Sequence, residues 1–226
     1  MEESDQFKNS NRNNRQAGTL RLLAHYPKQV LTVVGMTLGG TISFYTYTTY
    51  LQQFMINTTG LSKKTAAMIN FVALLVMVVL QPLFGHLSDR IGRKPLLIFF
   101  GIGGTLCTVP LFTLMAGAST ALEALLLMIV GIVIVSGYTS INAIVKAELF
   151  PSEIRALGVG MPYGLTVALF GGTVNYIALW LRSIHLESAF FWYVSGAVFI
   201  SLLVYAFVLK PGSLIDEEMT ESTTTD

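Results

Sequence analysis

The 226-residue sequence is short of charge: Asp, Glu, Lys and Arg make up 12% of it, against about 25% in soluble globular domains. That shortage argues against an ordinary soluble enzyme domain. The few charges are also clustered, leaving charge-free runs at 29–62, 65–88, 95–122, 124–145, 156–181 and 188–209. Each run is 22 to 34 residues long. An apolar helix needs about 20 residues to cross a hydrocarbon core, whereas a β-barrel strand alternates over about 10. Six membrane-spanning helices are therefore expected, with hydrophobic residues forming 53% of the chain. Cysteine is nearly absent. Cys107 lies alone in the third run, which excludes an intramolecular disulfide and a thiolate metal cluster. The membrane centre has no acid: Glu123 falls at one end of the fourth helix and Glu148 at the other. A Ser/His pair, a His-Glu-x-x-His motif and paired intramembrane acids are missing too, which argues against an intramembrane enzyme. No cofactor or metal is expected. Residues 1–19 are polar and lack the apolar core of a cleaved signal peptide, so the first helix is expected to act as the insertion signal. The polar tail itself reads as disordered.

The formal net charge of +1 hides an asymmetry. If the amino terminus faces the cytoplasm, Lys8, Arg12, Arg15, Arg21, Lys28, Arg90, Arg93, Lys94, Lys146, Arg155 and Lys210 lie inside, and Lys63, Lys64 and Arg182 lie outside. The positive-inside rule then puts both termini in the cytoplasm, and the expected location is the plasma (inner) membrane, as a multi-pass protein. Trp180 and the Phe190-Phe191-Trp192-Tyr193 cluster are expected at outer headgroup depth as an aromatic belt. The loops, near 89–94, 116–120, 147–155 and 182–187, are short. Consecutive helices should therefore pack as antiparallel neighbours in one bundle over 29–210, with polar tails at 1–28 and 211–226.

Two helices carry polar stripes. In the first, Thr37, Thr41, Tyr45, Thr48 and Gln52 recur at steps of three and four; in the fourth, Tyr138, Asn142 and Lys146 recur at steps of four. Polar groups within a membrane face a neighbouring helix or a water-filled path. Tyr45, Thr48, Gln52, Tyr138 and Asn142 are the candidate path-lining residues. Lys146 either attracts an anion from the inner side or snorkels to the cytoplasmic headgroups. Gly160, Gly164, Ala168 and Gly172 in the fifth helix form a small-residue ridge that admits a close backbone. Pro82, Pro110 and Pro162 should bend their helices.

The inner loops hold the densest information. Gly85-His86-Leu87-Ser88-Asp89-Arg90-Ile91-Gly92-Arg93-Lys94-Pro95 combines an acid, bases and two glycines at particular spacing. Asp89 can sit against the positive end of a neighbouring helix, Gly92 allows a tight turn and Arg93 can clamp a carboxylate such as Glu148 or Glu153. The next inner loop, from Lys146 to Gly158, contributes Glu148, Glu153 and Arg155, with Ser152 as a candidate cap for the fifth helix. Gly85, Asp89, Arg90, Gly92, Arg93, Glu148, Glu153 and Arg155 are the candidate cytoplasmic gate. The simpler alternative is a basic loop that serves orientation alone.

The first of these loops resembles the Gly-x-x-x-Asp-Arg-x-Gly-Arg-Lys signature of the major facilitator superfamily, and the second its Glu…Pro…Arg…Gly signature. Phe44–Gln52, Tyr138–Pro151, Arg155–Gly160 and Ala189–Tyr193 are similar to the metabolite:proton symporters, particularly their α-ketoglutarate permease type. The resemblance covers about residues 16–210 and is to the carboxy-terminal half alone. It implies one half of a twelve-helix fold, with residues 1–28 matching the end of the linker between halves. It further implies proton-coupled symport of a dicarboxylate such as α-ketoglutarate, by a half-transporter inactive alone. The implied partners are the lipid bilayer, a small organic anion and a proton, and a missing amino-terminal six-helix half or a second copy, with no nucleic acid. Two alternatives remain open: a related symporter for proline or betaine, citrate or shikimate, and a non-transporting interaction protein or gene remnant.

Overall fold

The computed structural model describes Leu23 and residues 25–152 and 154–209. Among the described residues there are no strands, and six helices are long and apolar enough to cross a membrane. They are α1 (Pro27–Asn57), α2 (Lys63–Ile91), α3 (Arg93–Ala116), α4 (Ala121–Ala147), α5 (Arg155–Ser183) and α6 (Glu187–Val208). The chain is thus an all-α multi-pass membrane protein. Glu153 and the tails at 1–22 and 210–226 lie outside the described residues.

Local chemistry sets the helix ends. Ser62 Oγ accepts the Thr65 backbone N–H at 3.1 Å and caps α2. Thr120 and Glu123 form a reciprocal capping box that starts α4. Between α2 and α3 the chain reverses through Gly92 at φ +86°, a conformation that side chains with a Cβ rarely adopt. Ile154, not Ser152, occupies the N-cap position of α5, and a turn at Ile154 leads into the helix.

The helices are not uniform. Single π-helical turns occur at Thr46–Tyr50 in α1, Val167–Gly171 in α5 and Val204–Val208 in α6. A π-turn inserts an extra residue into the ladder and rotates the remainder of the helix about its axis. Thr41 and Tyr45, before the π-turn of α1, meet Gly171 of α5, whereas Gln52, beyond it, meets Asn70 of α2, so the stripe from Thr37 to Gln52 does not share one face. Pro82, Pro110 and Pro162 all sit inside helices, as lipid-embedded helices tolerate.

Helices α1 and α4 are the most enclosed, and α2 and α5 the least. Close approach depends on missing side chains. The Tyr138 ring of α4 lies on Gly40 of α1, and the Tyr47 ring of α1 lies on Gly131 of α4, so a Cβ at either glycine would collide with the ring. Gly39 meets the α6 backbone at Ala197 and Val198 in the same way. Hydrogen bonds reinforce these seams: Tyr205 OH donates to Met36 O at 2.8 Å, Ser201 Oγ to Gly35 O at 2.6 Å, and Ser195 Oγ to Thr105 O at 2.6 Å. With no water in the hydrocarbon, bonds of this kind hold transmembrane helices where hydrophobic burial cannot.

An aromatic cluster of Tyr50, Phe54, Phe112, Phe190 and Phe191 closes the bundle at the end opposite the charged loops. Phe190 and Phe191 are buried, which removes them from the expected belt; Trp180 and Trp192 project outward. Successive residues of one helix point in different directions, and only packing determines which become core.

The α5 ridge behaves differently from Gly39. A Cβ at Gly160 or Gly164 would meet nothing within 4 Å. Gly39→Ala is therefore expected to destabilise the bundle by about 1–3 kcal/mol through overpacking. Gly160→Ala should instead stabilise it by about 0.5–1 kcal/mol, the helix-interior preference of Ala over Gly. Denaturant titration of the detergent-solubilised variants compares the two; equal shifts would reject this packing.

Candidate functional site

The site forms where α4 breaks. Its regular helix runs from Ala121 to Thr139, and Ile141 departs to φ −126° before helix resumes at Asn142. Asn142 Nδ2 donates to Thr139 O at 2.9 Å across the break. Broken helices of this sort free backbone and side-chain polar groups at transporter binding sites.

Lys146 lies beyond the break, and its side chain points back toward the amino-terminal end of α4, as helical side chains do. It is 1% exposed, so it does not snorkel to the surface. Its ammonium donates to Tyr138 OH at 2.9 Å and to Asn142 Oδ1 at 3.2 Å. It also stands 4.3 Å from the centre of the Tyr163 ring on α5 and 5.2 Å from that of Tyr138. Among the described residues no carboxylate comes within ion-pair distance of Lys146. A buried cation surrounded by neutral oxygens and π faces is held but not neutralised.

The other stripe residues take separate positions along α1. Tyr45 packs with Thr41 on Gly171 of α5. Thr48 Oγ1 is turned back onto Phe44 O at 2.6 Å. Gln52 Oε1 accepts from Asn70 Nδ2 of α2 at 2.9 Å. Lys146, Tyr138 and Asn142 thus converge, whereas Tyr45, Thr48 and Gln52 do not. Asn70, Gln81 and Tyr163 are additional polar residues that the stripes do not reveal. Gln81 Nε2 donates to Thr139 Oγ1 at 2.7 Å and ties α2 to α4 at the break. Buried oxygens of Ser43, Thr46, Asn70 and Asn175 have no hydrogen-bond partner among the described residues, leaving acceptor capacity on α1, α2 and α5.

At the basic end the two loops meet through an Arg93–Glu148 ion pair. Gly92 makes the turn that presents Arg93, and Arg155 Nε donates to Phe150 O at 3.2 Å within the second loop. Asp89 and Arg90 are exposed, and no ion pair joins them to other described residues. Gly85 is half-buried with open space where a Cβ would stand. The neighbouring Lys94 does more within the bundle: its ammonium donates to Ala206 O at 2.9 Å and Leu209 O at 2.7 Å. It thereby satisfies carbonyls at the end of α6 that the helix leaves open.

The opposite end has a clamp that the sequence motifs do not mark. Glu187, in the first turn of α6, accepts from Tyr50 OH at 3.2 Å and Thr58 Oγ1 at 3.0 Å. Arg182 lies 3.8 Å from Glu187 and donates to Asn57 O at 2.9 Å. The end of α1 is thus held to the α5–α6 loop. The opposite charges of Arg182 and Glu187 across that loop are the one available sequence signal.

A six-helix membrane bundle with a broken central helix and a loop-borne ion pair has the architecture of a transporter domain. The chain belongs to the major facilitator transporters: it matches the family described as sugar (and other) transporter over residues 1–220, and the bundle corresponds to one half of that fold. It is 41% identical over 198 residues to the alpha-ketoglutarate permease of Escherichia coli K12, covering 88% of this chain and 46% of the relative. It is 29% identical to the ectoine/proline transporter ProP of Corynebacterium glutamicum, over 73% of this chain and 32% of the relative. The glycine betaine/proline/ectoine/pipecolic acid transporter OusA of Dickeya dadantii is 27% identical, over 71% and 32%. The chain thus spans less than half the length of these curated relatives. No solved structure matches it at a significant level.

The geometry separates the two neighbouring bases. Lys94→Met should cost about 1–3 kcal/mol, because two charge-assisted bonds to helix-end carbonyls are lost. Arg93→Met should cost less than about 1 kcal/mol, since its pair with Glu148 is solvent-screened on both sides. Thermal unfolding in detergent measures both; a larger loss for Arg93→Met would contradict the assignment.

Proposed function

We propose that this chain is one half of a proton-coupled dicarboxylate transporter, with α-ketoglutarate as the expected substrate. The observation that carries the reading is the buried ammonium of Lys146 beside a helix break, with no carboxylate partner among the described residues. An organic carboxylate brought there would supply the missing negative charge and accept a charge-assisted hydrogen bond. The 41% identity to a permease for alpha-ketoglutarate supports the same substrate class. Tyr138, Asn142, Tyr45, Thr48 and Gln52 complete the proposed path wall. The proton-coupling group is assigned to the complementary half, since this one has no acid at the membrane centre.

In this reading residues 29–210 form the bundle, with 1–28 and 211–226 as cytoplasmic tails in the plasma membrane. The basic end faces the cytoplasm because basic loops resist translocation. Gly85, Asp89, Arg90, Gly92, Arg93, Glu148, Glu153 and Arg155 act there as a gate. Weak, solvent-screened pairs suit this task because they break at little cost when the bundle rocks. The α5 ridge, open along Gly160 and Gly164, and the poorly covered α2 seat the other six helices.

Uptake of labelled α-ketoglutarate into cells tests the proposal. The chain expressed alone should show no concentrative uptake, and co-expression with a matching amino-terminal half should restore it. In the restored pair, Lys146→Gln should lower uptake at least about tenfold at unchanged abundance, the worth of a charge-assisted contact. Asp89→Asn should impair uptake as well. Gradient-dependent uptake by the chain alone, without a homodimer, would reject the half-transporter reading. Restored uptake indifferent to Lys146→Gln would reject the anion site, and failure of every matching half would favour a non-transporting interaction protein.

A further inference from the structure

An ammonium has three N–H donors, and Lys146 spends two of them on Tyr138 OH and Asn142 Oδ1. No oxygen takes the third among the described residues. The nearer of its two ring contacts is the face of Tyr163, whose centre lies 4.3 Å from the nitrogen against 5.2 Å for Tyr138. The two partners differ sharply in position: Lys146 is 1% exposed, whereas Tyr163 is 40% exposed on the poorly covered side of α5. Tyr163 also has room to move. It comes directly after Pro162, whose ring removes a helix hydrogen bond, and it stands between Gly160 and Gly164, which have open space where side chains would be.

We propose that Tyr163 is a positioning residue that covers Lys146 in the empty state, holding the third donor by its π face until a ligand carboxylate takes that place. This rests on Lys146 being the anion site proposed above, and deepens it: the ligand enters from the α5 side and must displace an aromatic ring to reach its cation. The exchange is favourable because a carboxylate oxygen is a stronger partner for an ammonium than a ring face. It is also selective. A ligand without a carboxylate gains nothing from Lys146 that compensates for loss of the cation–π contact, so the ring discriminates carboxylates from uncharged solutes of similar size.

The test uses the full chain in nanodiscs of phosphatidylethanolamine and phosphatidylglycerol. It reads acetylation of Lys146 by sulfosuccinimidyl acetate, mapped by peptide mass spectrometry against the exposed Lys63. Tyr163→Ala should raise the Lys146 rate about tenfold relative to native, the range of a desolvated cation–π contact. Tyr163→Phe keeps the ring face and should stay near the native rate. An unchanged rate in Tyr163→Ala would overturn the lid, as would a rise in Tyr163→Phe equal to that in Tyr163→Ala. A rise shared by Lys94, whose ammonium is held by α6, would mean that the bundle as a whole had opened, and would also overturn it. α-Ketoglutarate added to Tyr163→Ala should slow Lys146 acetylation, while its uncharged dimethyl ester should not. A raised rate that ignores α-ketoglutarate would retain the lid and remove the anion site beneath it.

Discussion

Two tyrosine rings laid on glycines hold the centre of this bundle. Tyr138 on Gly40 and Tyr47 on Gly131 join α1 and α4 twice, each helix supplying one ring and one gap. The Tyr138 phenol that results from this contact is the one that receives the Lys146 ammonium. The site therefore depends on the α1–α4 seam, and the seam on the absence of two side chains.

The buried cation sets the electrostatic character of the whole half. Burial of an ammonium without a counter-ion is unfavourable, and the structure offsets it only with dipoles and aromatic faces. The anion-site role proposed for Lys146 rests on that imbalance. The rest of the α1–α4–α5 surroundings contributes hydroxyls and amides, and among the described residues no carboxylate pairs with Lys146.

Outside this centre the two ends of the bundle are tied in different ways. At the basic end, Arg93–Glu148 is solvent-screened, while Lys94 bonds directly to the end of α6. At the other, Glu187 and Arg182 bind the terminus of α1 to the α5–α6 loop. Adjacent residues in one motif thus divide the work: Lys94 holds α3 to α6, and Arg93 makes a contact that can break. The helices left least covered are α2 and α5.

How much of this is legible in sequence depends on the range of each interaction. Membrane thickness acts on each helix separately, so charge-free run lengths suffice for six spans, and the loop motifs suffice for the family. Helical periodicity is equally local, which is why four-residue spacing groups Tyr138, Asn142 and Lys146. The α1 stripe fails as one face because the π-turn at Thr46–Tyr50 shifts its phase, a distortion with no distinct residue signature. Phe190 and Phe191 read like interfacial aromatics until packing against Phe112 makes them core. Tyr163 is inconspicuous between its glycines, because its meaning comes from a lysine on another helix. Composition and spacing alone settle the spans, the family and the members of each helix. Which faces meet is settled only in the packed bundle, because a contact between helices depends on the rotation and approach of both.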